Sequence, residues 1–200
     1  MYNIFLKVDN RLKLIYKYIK NKSVLDFGPG GIEHRQIYKF VNTNSKSYSG
    51  IEINKKKCSL LSKKGINVYN LNAESFDLNK KFDTLFAGEF IEHLNNPGNF
   101  LLSCKKHMKK NSHLILTTPN AYSFNKVLRS IFSLGNVPQF HEHVLLFNEQ
   151  LLVELLSRYK FKIVSINYFN YSDKGIKSKI INFFSKISPY FSESIMIVAK

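Results

Sequence analysis

Two stretches of the chain combine residue types that can do chemistry. The first is SVLDFGPGG, residues 23–31, where an apolar run ends on Asp26-Phe27 and meets Gly28, Gly30 and Gly31. Glycine accepts positive φ and has no Cβ to hold a ligand off the backbone. A helix starting behind such a turn offers unpaired N–H groups to a carboxylate or phosphate. Plain turn chemistry uses the same residues, so the turn alone decides nothing. The second stretch is GEFIEHLNNPGNF, residues 88–100, with Glu92 three residues and His93 four residues after Glu89. On a helical turn the three side chains converge. They then offer a general base that titrates near neutrality, or ligands for a divalent ion that acidifies a hydroxyl. An architectural role is the third reading.

The surrounding elements must position these residues. SVLDF reads as a strand, and helical residues follow over about 32–41. SYSGIEI, INVYNLN, KFDTLFAGEF and SHLILTTPN supply four more strands. Helices fall between them at NKKKCSLLSKK and NPGNFLLSCKKHMKK, the latter with Pro97 near its start, where its missing N–H does no harm. Strands alternating with helices imply parallel pairing by right-handed crossovers. An amphipathic helix over 9–20, within an N-terminal helical region 1–21, precedes the first strand. After residue 147 come a helix, a strand at KIVSINYFNY, a basic amphipathic segment at 174–190 and a last strand at SESIMIVAK. The expected fold is α/β: a Rossmann-like doubly wound sheet of seven strands, the last two an antiparallel pair at one edge.

In such a sheet the ligand sits at the carboxyl ends of the strands. Glu52, at the end of the second of these strands and 26 residues after Asp26, can accept both hydroxyls of a ribose. A solvent-facing acid is the bland alternative, though its strand is otherwise apolar. A dinucleotide and S-adenosylmethionine both suit this arrangement. The dinucleotide fingerprint asks for a glycine where this chain has Glu33, which counts against the former.

The bulk numbers suit one soluble domain spanning 1–200: 44% hydrophobic and 22% charged residues. The net charge is +16, much of it in short Lys pairs such as Lys63-Lys64 and Lys109-Lys110. A solvated surface is one reading, and a field that attracts anions the other. With no Arg-rich run, nucleic acid is not required. Cys58 and Cys104 form no CxxC and suggest a reducing compartment. No stretch reaches the ~20 apolar residues of a membrane span, and no signal-peptide pattern opens the chain, so the expected location is cytoplasmic.

VLDFGPGG, YSGIEIN, NLNAESFD, FDTLFAGEFIEHLNNPGNFL and LILTTPN follow one another in an order that resembles the class I S-adenosylmethionine-dependent methyltransferases. The resemblance covers about residues 22–169 and the closing strand. It implies a cofactor site at Asp26, Gly28, Gly30, Glu52, Ile53, Asn72, Ala73 and Gly88. Asn72 stands where the family usually has Asp, and its amide oxygen can still accept from an adenine amino group. Ile32 replaces the third glycine of a common GxGxG pattern. Within the family, EHLxNP and TPN resemble a subgroup that includes quinone-biosynthesis O-methyltransferases, glycan-modifying enzymes and small-RNA methyltransferases.

That subgroup also implies a later histidine, which His143 in FHEHVLLFN matches best. His93 and His143 are thus the expected catalytic residues, as base. No metal is expected; were one bound, Glu89, Glu92, His93 and His143 would hold it. The acceptor is expected to be a small molecule, nucleotide-sugar or lipid-linked glycan in cell-surface polysaccharide synthesis. An RNA-directed enzyme and a non-catalytic binding protein are the alternatives. Residues 120–147 are expected to cover the substrate, with Tyr122, Phe124, Phe132 and Phe140 either lining it or packing in the core. Asn120 either touches substrate or stops the strand. His34, His107, His113 and His141 read as packing or surface residues. Segment 174–190 is expected to pack on the sheet edge or to lean on anionic lipid at the inner membrane face.

Overall fold

The computed structural model describes residues 3–6, 8–29, 35–132, 143–171 and 174–200. Eight strands form one sheet: β1 (Asn3–Leu6), β2 (Ser23–Phe27), β3 (Ser47–Ile51), β4 (Val68–Tyr69), β5 (Phe82–Gly88), β6 (Met108–Pro119), β7 (Ile163–Phe169) and β8 (Ser194–Ala199). Their order is β1-β7-β8-β6-β5-β2-β3-β4. β8 runs antiparallel to both β6 and β7, and every other pairing is parallel. The doubly wound sheet and its antiparallel final pair are as expected. Two details differ. Residues 3–6 form an eighth strand ahead of the N-terminal helix, parallel to β7. The β7–β8 pair is therefore not at an edge: β8 lies inside the sheet, and β1 covers the N–H and C=O groups β7 would otherwise leave unpaired.

The helices are α1 (Val8–Ile19), α2 (Arg35–Asn44), α3 (Lys55–Lys63), α4 (Pro97–Lys106), α5 (Phe124–Ile131), α6 (Glu149–Arg158) and α7 (Ile176–Ile187). Three begin on an asparagine whose side chain accepts an otherwise orphaned N–H: Asn54 from Lys57, Asn96 from Asn99 and Asn148 from Leu151. The sequence pattern carried α4 to residue 110, but the helix ends at Lys106. Met108 already pairs with Phe82 of β5, and tertiary pairing overrides the helical propensity of Met-Lys-Lys.

Side chains of successive strand residues alternate between two cores. Leu85 and Ala87 of β5, Leu114 and Leu116 of β6, and Ile195 and Ile197 of β8 face Phe100 and Leu101 of α4 and Leu152 and Leu156 of α6. Phe86, Ile115 and Met196 face the other way, against Ile15 and Ile19 of α1 and Val41 of α2. Covering both faces buries the middle of the sheet and leaves the strand ends for a ligand. The parallel strands β2, β3 and β5 bring the glycine turn, Glu52 and the Glu89–His93 segment to the same end.

Candidate active site

At the end of β2, Gly28 turns the chain with φ of +69° and donates its N–H to Ile51 O at 2.9 Å. A Cβ there would lie 2.9 Å from Phe90 Cδ2. Two causes therefore require glycine: the left-handed backbone and the Phe90 ring packed against it. Gly30 lies outside the described residues. Asp26 is buried and accepts from Tyr48 Oη at 2.7 Å. Burial pushes its carboxyl up to about 7. Asp26 lines a small cavity together with Gly28, Pro29, Tyr38, Phe86 and Gly88. Gly88 ends β5, and a Cβ there would lie 2.9 Å from the Phe86 ring.

Glu52, buried just past β3, accepts from Asn54 N at 2.8 Å through Oε1. Among the described residues no hydrogen bond reaches Oε2, which leaves that oxygen able to accept from a ligand. Asn70 fixes this turn by donating from Nδ2 to Glu52 O at 2.8 Å and to Ile53 O at 2.9 Å. The sequence reading missed Asn70; an amide one residue past a short strand carries no distinctive spacing. Ile53 is exposed beside Glu52, and Ala73 is buried. Asn72 Oδ1 accepts from Glu74 N at 2.9 Å, which closes a local turn and leaves its second lone pair. A backbone turn stripped of Cβ and a carboxylate with an unused oxygen fit an adenosyl group with an amino-acid tail. Gly28, Glu52, Ile53, Asn72 and Ala73 would hold it.

On the neighbouring strands the site is charged. Glu89 follows β5 with φ of +46°, a conformation that costs a non-glycine residue energy. Its N–H donates to Thr117 O at 2.9 Å, and its carboxylate accepts from Tyr171 Oη at 2.7 Å and Ser194 Oγ at 2.9 Å. Residues Ile91–His93 then form one 3₁₀ turn. Glu92 is buried at 1% exposure; Thr118 Oγ1 donates to its Oε2 at 2.9 Å, and its Oε1 has no partner among the described residues. Burial first, and the Glu89 charge second, hold the Glu92 carboxyl well above the ordinary glutamate range.

Glu92, His93 and His143 each place one donor atom within 4.8 Å of the others, and the two imidazole rings are 4.7 Å apart. Val144 N and Leu145 N both donate to Glu92 O, which ties the segment following His143 to the turn. Three of the four residues in the expected set thus converge. Glu89 is directed toward Tyr171 and Ser194 instead.

Two cations complete this end. Lys126 Nζ on α5 and Arg11 Nε on α1 are buried atoms without a hydrogen-bond partner among the described residues. Burial disfavours charge on both, while Glu89 favours it on both and Glu92 on Lys126. Neither has a signal in the sequence, since their positions relative to the acids depend on how α1 and α5 dock.

Asn120 is buried and its amide is bonded within the chain. Its Nδ2 donates to Tyr190 O at 2.6 Å and Ser192 O at 2.9 Å, and its Oδ1 accepts from Tyr122 N at 3.1 Å. It staples the end of β6 to the segment before β8. Phe124 packs on Phe184 of α7, with ring centroids 4.1 Å apart, while Tyr122 and Phe132 are exposed. His107 is a core residue: Nε2 accepts from Leu78 N at 3.0 Å, and Nδ1 lies 2.7 Å from Ser103 O. That pattern describes a neutral ring with its proton on Nδ1, so the 3.6 Å approach to Asp77 is not an ion pair. His113 packs against Tyr18. His34, His141 and Phe140 lie outside the described residues.

The profile of the methyltransferase domain family matches residues 5–166. The chain belongs to that family. It is a class I S-adenosylmethionine-dependent methyltransferase, as the order of its motifs implied. The chain is 25% identical over 196 residues to the ubiquinone biosynthesis O-methyltransferase of Rickettsia typhi, covering 84% of this chain and 79% of that one. With the protein of the same name from Rickettsia akari the identity is 23% over 195 residues, covering 91% and 77%. A SAM-dependent methyltransferase from Archaeoglobus fulgidus superimposes with a TM-score of 0.69 at 20% identity, covering 96% of this chain and 92% of that one. The glycopeptide N-methyltransferase MtfA bound to S-adenosyl-L-homocysteine superimposes with 0.66 at 12% identity, covering 98% and 91%. These two structures share the fold of this methyltransferase.

Proposed function

We propose that this methyltransferase transfers the methyl group to an oxygen of a small acceptor. The observation that carries this is the convergence of Glu92, His93 and His143 within 4.8 Å, past the end of the strand that neighbours the glycine turn. When bound, S-adenosylmethionine supplies a methyl group made electrophilic by a sulfonium. An acceptor hydroxyl is a poor nucleophile until its proton leaves. His93 or His143 takes that proton, and Glu92, anchored by Thr118, stands beside the imidazolium that results. Lys126 and Arg11 favour an acceptor oxygen that carries negative charge. Glu52 and the glycine turn fix the cofactor, so alignment comes from the chain before the acceptor arrives.

The names of the O-methyltransferase relatives support oxygen as the target and favour a hydroxylated aromatic ring of the quinone type over a glycan. The test is incubation with methyl-labelled cofactor and two acceptor pools, catechols and nucleotide-sugars. Label on a catechol oxygen is the expected product. Label on nitrogen, or on the sugar pool alone, would overturn the respective part of the reading.

Two imidazoles and a carboxylate are also a donor set that suits a divalent ion. In that second reading Glu92, His93 and His143 would hold the ion, which would supply acidification of the acceptor hydroxyl. Transfer that survives a chelator supports the base reading; transfer lost to the chelator and restored by magnesium or zinc supports the ion.

A further inference from the structure

Helix α7 turns its apolar stripe away from the protein. Ile176, Ile180, Phe183 and Ile187 are spaced four, three and four residues apart, so they fall on one line of the helix. They are 80%, 46%, 61% and 64% exposed. The inward face is Ile181 and Ser185, both buried, with Phe184 stacked on α5. Lys179 and Lys186 run along one flank of the stripe and Lys177 along the other, all exposed, and α7 contains no acidic residue.

We propose that this face docks on an anionic membrane surface. A helix of this pattern lies in the plane of the headgroups with its apolar line just below them. The flanking lysines keep their ammonium groups at the phosphate level while their stems cover apolar surface. Charge decides between occupants. A second copy of this chain would set one +16 protein against another, lysine flank to lysine flank. A surface rich in anionic lipid complements the same charge. Among the described residues no helix is long and apolar enough to cross a membrane, so the contact is peripheral. The adjoining α5, which carries Lys126, ends on exposed Ile131 and Phe132. This proposal requires nothing of the methyl-transfer reading.

The test is sedimentation of the full chain with vesicles of phosphatidylcholine alone and of phosphatidylcholine mixed with phosphatidylglycerol. The protein is expected to sediment with the mixed vesicles and to be released as salt screens the charge. Phe183→Ser with Ile187→Ser should abolish this binding. Lys177→Gln, Lys179→Gln and Lys186→Gln should each weaken it by roughly fivefold. All five positions are exposed, so the variants keep the fold, and unchanged cofactor binding by calorimetry verifies it. The proposal fails if wild type ignores the anionic vesicles, or if the Phe183/Ile187 variant binds them equally well. It also fails if wild type forms dimers that this variant does not.

Discussion

Gly28 and Glu52 sit at the tips of adjacent strands: Ile51 O, 23 residues away, holds the glycine, Asn54 N holds the glutamate carboxylate, and Asn70 Nδ2, 18 residues away, pins its turn. Glu92 is held by Thr118, 26 residues away, and Glu89 by Tyr171 and Ser194, 82 and 105 residues away. The cofactor end is thus made mainly of backbone turns at the tips of β2 and β3, all drawn from residues 28–73. The acceptor end is made of Glu89 and Glu92 past β5, the cations Arg11 of α1 and Lys126 of α5, and the hydroxyl groups of Thr118, Tyr171 and Ser194. The cofactor end therefore draws on one part of the chain, whereas the buried charge cluster draws on elements from α1 to β8.

Breaking the acceptor end should produce the largest effect. His143→Ala is expected to lower the rate of transfer by roughly 10²–10⁴ with cofactor affinity unchanged. A parallel loss of affinity in calorimetry would show that the two ends are not separable. At the cofactor end, Glu52→Ala removes hydrogen bonds from a charged acceptor and should weaken cofactor binding by roughly 10–150-fold. Gly28→Ala should cost about 1–2 kcal/mol of stability from the backbone alone, with a further cost from displacing Phe90. Urea unfolding measures this, and no change in midpoint would remove the close packing argument.

Asp26 sharpens the comparison through pH. Its carboxyl is raised to about 7 in the fold by burial, above its ordinary value of 3.8. Between those values the folded state keeps a proton that the unfolded chain has lost, so stability should fall as pH rises through that window. The slope is at most about 1.4 kcal/mol per pH unit. Asp26→Asn should flatten it, and equal slopes for the two proteins in urea titrations at pH 5 and pH 7 would contradict the assignment.

The sequence was readable where function follows from local pattern. Alternating strands and helices gave the sheet, and the glycine turn, Glu52 and the ExxEH spacing lay within single stretches. β1 was not readable, because four residues carry no period of their own and their pairing to β7 joins opposite ends of the chain. Lys126 and Arg11 were hidden for the same reason, since their meeting with Glu89 and Glu92 is set by helix docking. Asn120 stood in a motif that suggested a ligand, yet its amide is spent on the Tyr190 and Ser192 carbonyls, which no spacing rule could show.

Titration calorimetry of S-adenosylhomocysteine into wild type and Glu52→Ala tests most directly whether Gly28 and Glu52 clasp the cofactor. One saturable site in wild type, markedly weakened in the variant, is the predicted result. Folded wild type that gives no heat at millimolar ligand, or a variant that binds as tightly as wild type, would contradict it.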